Sequence, residues 1–259
     1  MSVDLAGRLV VVTGASSGIG RAFVEATAQP DARFVLLARR RGLLDEVAAT
    51  VHARGGEALV QPVDLRDIDA AHAAAIASLE IVGTPDIVFA NAGISIARSV
   101  AATIERPDSI TRSVGANFTG PAAHALPLLA AMAERGSGHL IGSSTTNARL
   151  TIPGWGPYVS SKAAWDAWLR TVAVELAPSG VATTILAFPL VATPMSAPTL
   201  AGRRSMSAEE AAGWVTRAIR LRPTRIAPPW LPLAEVLHAA APTAVSRMIG
   251  RFSMRRSQP

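Results

Sequence analysis

The one tyrosine and the one lysine of this 259-residue chain stand four positions apart, at Tyr158 and Lys162. Residues at this spacing lie on the same face of a helix, so both side chains can point into a single cleft. A free phenol has a pKa of about 10 and exchanges protons poorly at neutral pH, and a neighbouring ammonium lowers that pKa by favouring the phenolate. The pair therefore predicts a side chain that gives and takes a proton in catalysis, with a solvated surface pair as the alternative.

Polar side chains that could hold a reacting oxygen occur at three further places. Hydroxyl groups end the apolar stretch "HLIGSSTT", and the carboxyl ends of parallel strands are where such chemistry collects. Asparagines occur in "NAG" and in "NFTG", and each alone is also typical of a turn or a helix kink. The candidates for contact with substrate or cofactor are Ser144, Thr145, Asn91, Ala92, Gly93 and Asn117.

A glycine-rich turn in "VVVTGASSGIGRAF" joins a predicted strand to a predicted helix. Glycines permit close backbone approach, and the free N–H groups at the start of a helix suit a pyrophosphate. A plain tight turn is the alternative, but the position after a first strand favours dinucleotide binding. The expected cofactor contacts in this turn are Gly14, Ser16, Ser17, Gly18, Ile19 and Gly20.

The residues after the second predicted strand distinguish between the two nicotinamide cofactors. NAD is commonly held there by an acidic residue on the ribose, whereas this chain has Arg39, Arg40 and Arg41 and no acid. A 2′-phosphate would offset three cations at a helix N-terminus, so the sequence predicts NADP(H), with a solvated surface cluster as the alternative. Asp64 and Leu65 are expected beside the adenine ring, and a helix N-cap is the alternative for Asp64.

Runs rich in β-branched residues alternate with alanine-rich helical stretches, which indicates βαβ units on a parallel sheet. The predicted helices are Gly18–Gln29, Arg41–Arg54, Ile68–Ile81, a long helix broken near Pro121 that ends about Arg135, and Gly156–Ala177. The predicted strands are Arg8–Thr13, Arg33–Ala38, Ala58–Gln61, Asp86–Ala90, His139–Ser143, Ala182–Phe188 and a short one at Thr224–Ala227. The fold class is therefore α/β, with a Rossmann-like, doubly wound parallel sheet of six or seven strands and helices on both faces, in a single domain spanning 1–259.

The composition excludes several kinds of site. The absence of cysteine excludes disulfides, thiolate nucleophiles and cysteine-ligated metals, and the five histidines show no ligand spacing, so no metal site is predicted. The net charge is +6, but the arginines are scattered among acids and do not predict a nucleic-acid interface. With no signal-peptide pattern at its start, the chain is expected to be a soluble cytoplasmic protein.

These motifs together resemble the short-chain dehydrogenase/reductase family over about residues 5–195. They are, in chain order, "TGASSGIG", "NAG", Asn117, the Ser/Thr run, "YVSSK" and "PLVATPM". The resemblance implies that Tyr158 is the general acid/base, that Lys162 lowers its pKa and binds the nicotinamide ribose, and that Asn117 holds a water in the proton relay. It also implies a homodimer or homotetramer formed through the long central helices.

Two positions depart from the family pattern. The family places a serine thirteen residues before its tyrosine, where this chain has Thr145, with Ser144 one residue earlier; alignment of the strand favours Thr145. The family's Pro-Gly after the sixth strand is Pro189-Leu190 here, so the backbone beside the nicotinamide is expected to differ. The resemblance places the cofactor beside Pro189, Val191 and Thr193, and the substrate beside Ile94, Trp155 and Met195.

The chain beyond the sixth strand is expected to serve the substrate. A proline-rich apolar loop over 190–206 predicts a substrate lid, and 230–259 is an apolar and basic extension that resembles the tails of fatty acyl-CoA and fatty aldehyde reductases. Such an extension could bind an acyl chain, a CoA phosphate, a partner subunit or a membrane surface, with core packing or a dimer contact as the alternative. Its apolar residues at near-helical spacing are Leu233, Val236, Leu237, Val245, Met248, Ile249 and Phe252, with Arg247, Arg251, Arg255 and Arg256 beside or beyond them.

The sequence thus predicts an NADPH-dependent carbonyl reductase or alcohol dehydrogenase that acts on a small, mainly apolar carbonyl compound. A fatty acyl-CoA or fatty aldehyde reductase is the alternative among enzymes. A non-catalytic NADP-binding regulator or a membrane-peripheral scaffold is the alternative from another class, although neither role needs the paired tyrosine and lysine.

Overall fold

The computed structural model describes residues 3–200, 202–245, 247 and 249. Within these residues, seven parallel strands form one sheet in the order β3-β2-β1-β4-β5-β6-β7. The strands are β1 Leu9–Thr13, β2 Arg33–Ala38, β3 Glu57–Pro62, β4 Ile87–Ala90, β5 Gly138–Thr145, β6 Val181–Phe188 and β7 Arg225–Ile226. The predicted parallel sheet of six or seven strands is confirmed, and the short strand before residue 228 pairs with β6 as its seventh member.

Helices connect the strands and cover both faces of the sheet. They are α1 Gly18–Thr27, α2 Arg41–Ala53, α3 Ile68–Val82, α4 Val100–Glu105, α5 Asp108–Val114, α6 Gly120–Arg135, α7 Gly156–Glu175, α8 Ala208–Leu221 and α9 Leu231–Ala240. Ser207 and Glu210 form a capping box at the start of α8. Short 3-10 turns stand at Thr146–Arg149, Ala177–Ser179 and Ala197–Thr199.

Alternating side chains of the buried strands supply two apolar cores. Successive residues of a strand point to opposite faces, so Val10 and Val12 of β1 pack on one face, whereas Leu9 and Val11 pack on the other. The first core includes residues of α1, α2 and α8, and the second includes residues of α3, α6 and α7. Because both faces are covered, every residue of β1 is buried and the strand reads as a continuous apolar run.

The strand order reverses between β1 and β4, and this reversal places the cleft. Crossovers from β1 run to β2 and β3 on one side, while those from β4 run to β5, β6 and β7 on the other. The loops at the carboxyl ends of β1 and β4 therefore separate, and ligands of open α/β sheets bind in the crevice between them. This geometry brings the glycine turn and the polar strand ends to the same edge of the sheet.

The expected break of the long helix near Pro121 is wrong. A π-helical turn, Gly115–Thr119, joins α5 to α6, and the residues that flank it have right-handed helical dihedral angles. Pro121 lies in the first turn of α6, where a proline needs no N–H partner and fits the helical φ angle. The helical path therefore runs from Asp108 to Arg135, and its irregularity is the π turn that contains Asn117.

The chain end is described in part. The segment of the extension that forms α9 lies on the protein surface, and core packing is wrong for Leu233, Val236 and Leu237 because all three are exposed. Residues 246, 248 and 250–259 lie outside the described residues, so the expectations for Met248, Arg251, Phe252, Arg255 and Arg256 fall there.

Candidate active site

A cleft of about 750 Å³ opens at the carboxyl edge of the sheet. Two predicted site residues, Gly20 and Asn117, do not line it. The predicted residues that do line it are Gly14, Ser16, Ser17, Gly18, Ile19, Arg39, Arg40, Asp64, Leu65, Asn91, Ala92, Gly93, Ile94, Ser144, Thr145, Trp155, Tyr158, Lys162, Pro189, Val191, Thr193 and Met195.

The glycine turn after β1 needs its glycines for two physical reasons. A side chain at Gly20 would collide with the carbonyl oxygen of Gly14, so α1 could not pack this closely against the turn. Gly18 has a φ of +56°, which disfavours other residues, and a Cβ there would lie 3.0 Å from Cγ2 of Thr193. The turn therefore exposes backbone to the cleft, with the first residue of the helix close to Thr193.

The start of α1 is left open to an anion. Its N-cap residue, Ser17, makes no side-chain capping hydrogen bond, and the first turn contains no acidic residue. Free N–H groups and the positive end of the helix dipole at such a position attract phosphate. The residues present thus fit the pyrophosphate of a dinucleotide.

The arginines after β2 form the outer wall at this end of the cleft. Arg39 and Arg40 both line it, and Nη2 of Arg40 lies 3.4 Å from Oγ of Ser17. The first turn of α2 contains no acid, so its cations are not offset there. Arg41, whose Nε lies 3.9 Å from the Asp45 carboxylate across an exposed surface, does not line the cleft.

Asp64 lies at the same end but is not a helix N-cap, so that alternative is wrong. The N-cap of α3 is Asp67, whose carboxylate accepts a hydrogen bond from the N–H of Ala70 at 3.0 Å. Asp64 accepts hydrogen bonds from the side chain and the N–H of Arg66, and these bonds lower the pKa of its carboxyl group. Asp64 is therefore an ionised wall residue, oriented by its neighbour.

Thr13, a residue that the sequence analysis did not single out, fixes the loop after β4. Its buried hydroxyl oxygen accepts hydrogen bonds from the N–H groups of Asn91 and Ala92, each at 3.0 Å. Oγ of Ser143 donates to Oδ1 of Asn91 at 3.1 Å, which ties the loop to β5 as well. The loop that faces the cofactor end is thus held from both neighbouring strands.

Asn117 occupies the π turn and is almost completely buried. Its Oδ1 accepts from the N–H of Ile94 at 2.7 Å, and its Nδ2 donates to the carbonyl of Ile94 at 3.0 Å and to Oγ of Ser161 at 2.9 Å. One lone pair of Oδ1 stays available, since an amide oxygen has two. The extra residue of the π turn therefore lets Asn117 join the loop after β4 to the helix that carries the tyrosine; such turns are frequent at functional sites.

Tyr158 and Lys162 lie in the first two turns of α7, as the spacing predicts, and both line the cleft. Nζ of the buried Lys162 donates a hydrogen bond to the main-chain carbonyl of Ser143 at 3.0 Å. The Trp155 ring meets the Tyr158 ring edge to face, with centroids 5.8 Å apart. The tyrosine is thus packed between an aromatic wall and the end of β5.

The expectation that Lys162 lowers the tyrosine's pKa is wrong for this structure. Burial raises the pKa of Tyr158, because the phenolate loses solvation, and a hydrogen bond with the side chain of Thr145 offsets this in part. Burial also lowers the pKa of Lys162 to about 8, so its amine is still mostly an ammonium at pH 7. The phenol is therefore held in its protonated form at neutral pH.

The structure separates the two candidate hydroxyls of β5. Neighbouring residues of a strand face opposite ways, and Oγ of Ser144 donates to the buried carboxylate of Asp166 at 3.1 Å. The side chain of Thr145 instead lies near enough to the Tyr158 phenol to lower its pKa. Thr145 thus has its hydroxyl beside the phenol, whereas that of Ser144 is held against α7.

Asp166 extends the face of α7 that carries Tyr158 and Lys162, because 158, 162 and 166 are successive positions four apart. Its carboxylate accepts from Nε of Arg149 at 3.1 Å and from Nε of Arg170 at 3.2 Å, in addition to Ser144. The sequence analysis missed this residue, although the i, i+4, i+8 spacing was a signal for it. Its ion pairs hold the segment after β5 against α7.

Residues of the segments 190–200 and 202–206 line one side of the cleft. Val191 pairs with Met206 in an isolated parallel bridge, in which the N–H of Ala192 and the carbonyl of Leu190 bond to Met206. This pairing directs the N–H of Val191 to the opposite side, away from Met206. Two exposed arginines, Arg203 and Arg204, also line the cleft from this segment and were not predicted as site residues.

The described residues contain no group of three or more acidic or histidine side chains that could hold a metal ion. No helix within the same residues is long and apolar enough to span a bilayer.

Comparison with known proteins identifies a family model and several relatives that match this chain. A family model described as short chain dehydrogenase matches residues 8–204. A fatty acyl-CoA reductase of Mycobacterium tuberculosis is 39% identical over 252 residues, which cover 96% of this chain and 86% of that protein. A fatty acyl-CoA reductase of Acinetobacter baylyi is 35% identical over 241 residues, covering 92% and 82% respectively.

A solved structure agrees with this result. The alcohol dehydrogenase of the archaeon Thermococcus sibiricus, solved with 5-hydroxy-NADP, superposes with a TM-score of 0.76 and 25% identity. The match covers 85% of this chain and 93% of the archaeal protein.

Proposed function

We propose that this chain, which belongs to the short-chain dehydrogenase family, transfers a hydride between NADP(H) and a carbonyl carbon while Tyr158 passes the proton. One observation carries the proposal: Tyr158, Lys162 and Thr145 line the same cleft as the glycine turn, and the side chain of Thr145 lowers the pKa of the Tyr158 phenol. A site that only bound a dinucleotide would have no need of this arrangement at the far end.

The cofactor would be held along the whole edge of the sheet. The turn from Gly14 to Gly20 and the open start of α1 would take the pyrophosphate, and Arg39 and Arg40 would take the 2′-phosphate. The N–H of Val191 would meet the carboxamide of the nicotinamide. When bound, the cofactor supplies or accepts the hydride, and the protein orients both reactants.

The proposed proton transfer follows from the pKa values of Tyr158 and Lys162. Because burial keeps the phenol of Tyr158 protonated, the side chain is a donor to the carbonyl oxygen in the direction of reduction. Thr145 would donate a second hydrogen bond to that oxygen or orient the phenol. Lys162, bonded to the carbonyl of Ser143, would hold the ribose.

The substitution Tyr158→Phe tests the proposed donor. It removes one hydroxyl and keeps the ring against Trp155, so we expect the turnover rate to fall by at least about 10³-fold while NADPH binds almost unchanged. Turnover by stopped-flow absorbance at 340 nm and cofactor binding by fluorescence titration separate the two effects. Near-normal turnover of this variant would refute the role of Tyr158.

For the substrate, we propose a long-chain fatty acyl-CoA or the corresponding aldehyde in preference to a small ketone. The two curated relatives named above carry the name fatty acyl-CoA reductase and match nearly the full length of this chain. Ile94, Trp155 and Met195 give the cleft apolar walls, and Arg203 and Arg204 give its lid a positive charge suited to CoA phosphates. In this reaction the thioester carbon gains a hydride from NADPH, its C–S bond breaks to leave an aldehyde, and the CoA sulfur takes up one proton and leaves as the thiol.

Three substrates separate the possibilities in one assay. Palmitoyl-CoA, hexadecanal and a small ketone are each supplied with NADPH, and both NADPH oxidation and released thiol are measured. Thiol release in proportion to NADPH oxidised supports acyl-CoA reduction. Activity on the ketone alone would instead indicate that the substrate is a small carbonyl compound. Tight NADPH binding without turnover on a broad carbonyl panel would favour a non-catalytic NADP-binding protein.

A further inference from the structure

Helix α9 directs its polar side toward the protein. Leu231 is fully buried, and Glu235 forms ion pairs with Arg225 at 2.6 Å and with Arg149 at 3.5 Å. Nε2 of His238 lies 3.4 Å from Oγ1 of Thr151. These contacts fix the rotation of the helix, since all three inward residues lie on one side of it.

The opposite side of α9 is apolar and exposed. At 100° per residue, its four large side chains fall within an arc of about 120° that faces away from Leu231, Glu235 and His238. We call this arc the outer face of α9; it consists of Trp230 (54% exposed), Leu233 (65%), Val236 (63%) and Leu237 (54%).

This orientation is the reverse of an ordinary surface helix. A helix of a soluble protein normally buries its apolar stripe and exposes its charged side. Here the charged Glu235 faces inward and is held by two arginines, so the helix cannot rotate to hide the outer face without breaking those ion pairs. A contiguous apolar patch of this kind indicates an interaction site.

The charge of the chain after α9 identifies the partner. From Val236 to Pro259 the sequence contains four arginines and neither aspartate nor glutamate. A second copy of this chain, related by twofold symmetry, would bring two such positive segments together. An anionic bilayer instead offers apolar acyl chains to the outer face and negative headgroups to the arginines.

We propose that α9 is an interfacial helix that binds the surface of an anionic phospholipid bilayer. Trp230 would lie at the headgroup boundary, and Leu233, Val236 and Leu237 would enter the acyl region. The contact of His238 with Thr151 places α9 next to the segment that leads to Ile152 and Trp155 of the cleft. The proposal goes beyond the reaction and holds for any substrate of the cleft.

Vesicle binding tests the proposal on the full-length protein. Cosedimentation is measured with vesicles of phosphatidylcholine alone and of phosphatidylcholine with phosphatidylglycerol, at low and high salt. We expect binding to the anionic vesicles that weakens in high salt, and at least about tenfold weaker binding to neutral ones. Equal binding to both, or no binding to either, would overturn the proposal.

Two double variants test whether the outer face of α9 is the surface that binds the vesicles. Leu233→Glu with Leu237→Glu is expected to reduce partitioning by at least about tenfold, because it puts charge where acyl chains would lie. The matched control is Ile81→Glu with Val174→Glu, which changes two apolar residues of similar exposure on α3 and α7 and is expected to leave binding within about twofold. Equal losses in the two double variants would contradict a site at α9.

Activity on a water-soluble aldehyde and sedimentation velocity complete the test. Unchanged activity of the α9 variant on that aldehyde shows that its fold and its cleft are intact. A change from a larger to a smaller species, with vesicle binding retained, would mean that the outer face contacts a second copy and would overturn the lipid assignment.

Fluorescence quenching of Trp230 needs no charged substitution, so it tests the proposal with less risk of misfolding. Trp230 should be quenched by brominated phospholipid in anionic vesicles, and Trp230→Phe should remove that quenching while leaving the other four tryptophans unaffected. Quenching of equal size in the Trp230→Phe variant would contradict insertion of α9.

Discussion

The two ends of the cleft are built in different ways. At the cofactor end, main-chain contacts and buried hydroxyls determine the shape: Gly20 packs on Gly14, and Thr13 holds the loop after β4. At the lid end, one isolated bridge and a 3-10 turn support two exposed arginines, Arg203 and Arg204. Substitutions of Gly20 or Thr13 at the cofactor end would therefore disturb the sheet, whereas side chains at the lid end can be changed without disturbing it.

This difference separates the steps that every substrate needs from the contacts that only one class of substrate makes. Substitutions at the cofactor end and at the junction of the two ends should affect every substrate alike, because every reaction needs the hydride and the proton. Substitutions at the lid end should affect one class of substrate. The following experiments test that division.

The largest effect is expected at the junction, where Thr145 meets Tyr158. Thr145→Ala should lower kcat by about 10²- to 10³-fold for acyl-CoA and aldehyde alike, since it removes a hydroxyl beside the reacting oxygen. Thr145→Ser keeps a hydroxyl and should stay within about tenfold of the wild type. Steady-state kinetics on both substrates measure this. If Ser144→Ala lowered kcat more than Thr145→Ala, the assignment of the hydroxyl would be reversed.

The next effect concerns the outer wall of the cofactor end. Arg39→Ser with Arg40→Ser should raise the Kd for NADPH by about 10- to 100-fold and leave that for NADH unchanged, because charge-assisted bonds to a phosphate are lost. The matched control is Arg41→Ser, because Arg41 lies near Asp45 and does not line the cleft. Fluorescence titration gives each Kd. Equal affinity of the wild type for both cofactors would show that these arginines do not bind the 2′-phosphate.

The pH dependence tests Lys162, whose pKa burial lowers to about 8. Its ammonium is lost as the pH rises through that value, so kcat/KM for NADPH should be level near pH 7 and fall about tenfold for each unit above pH 8. Tyr158, with its raised pKa, stays protonated over this range and adds no second step. A profile that remains level to pH 10 would contradict the role of Lys162 as a cation.

The smallest effect is expected at the lid. Arg203→Ser with Arg204→Ser should raise KM for palmitoyl-CoA by about five- to tenfold, because contacts with CoA phosphates are made near solvent and are screened. KM for hexadecanal, which has no phosphate, should not change. A matching rise for the aldehyde would mean that the arginines support the lid and do not bind CoA.

The sequence predicted the parts of the fold and of the site that depend on local pattern. The parallel sheet, the glycine turn and the shared face of Tyr158 and Lys162 all follow from spacing along single elements. The choice between Ser144 and Thr145 depended on which way a strand faces in the assembled sheet, and the structure places only Thr145 beside the phenol.

Other features could not be predicted, because they arise from packing between distant segments. The direction of the tyrosine's pKa depends on how much protein surrounds the phenol, which the positive charge of Lys162 in the sequence does not reveal. The continuous helix through Pro121 depends on a π turn that side-chain pattern does not indicate. Core packing was one alternative for the apolar residues of α9, but the ion pairs of Glu235 turn them outward.

Those ion pairs also limit where the chain can be shortened. A protein ending before α9 would leave Arg149 and Arg225 without the carboxylate of Glu235, directly behind the catalytic helix. Nε of Arg225 already lacks a partner among the described residues, so little is present to compensate for the loss. A minimal catalytic fragment, or a fusion joined at this end, must therefore retain the chain through at least Ala240, even though β1 to β7 are complete without it.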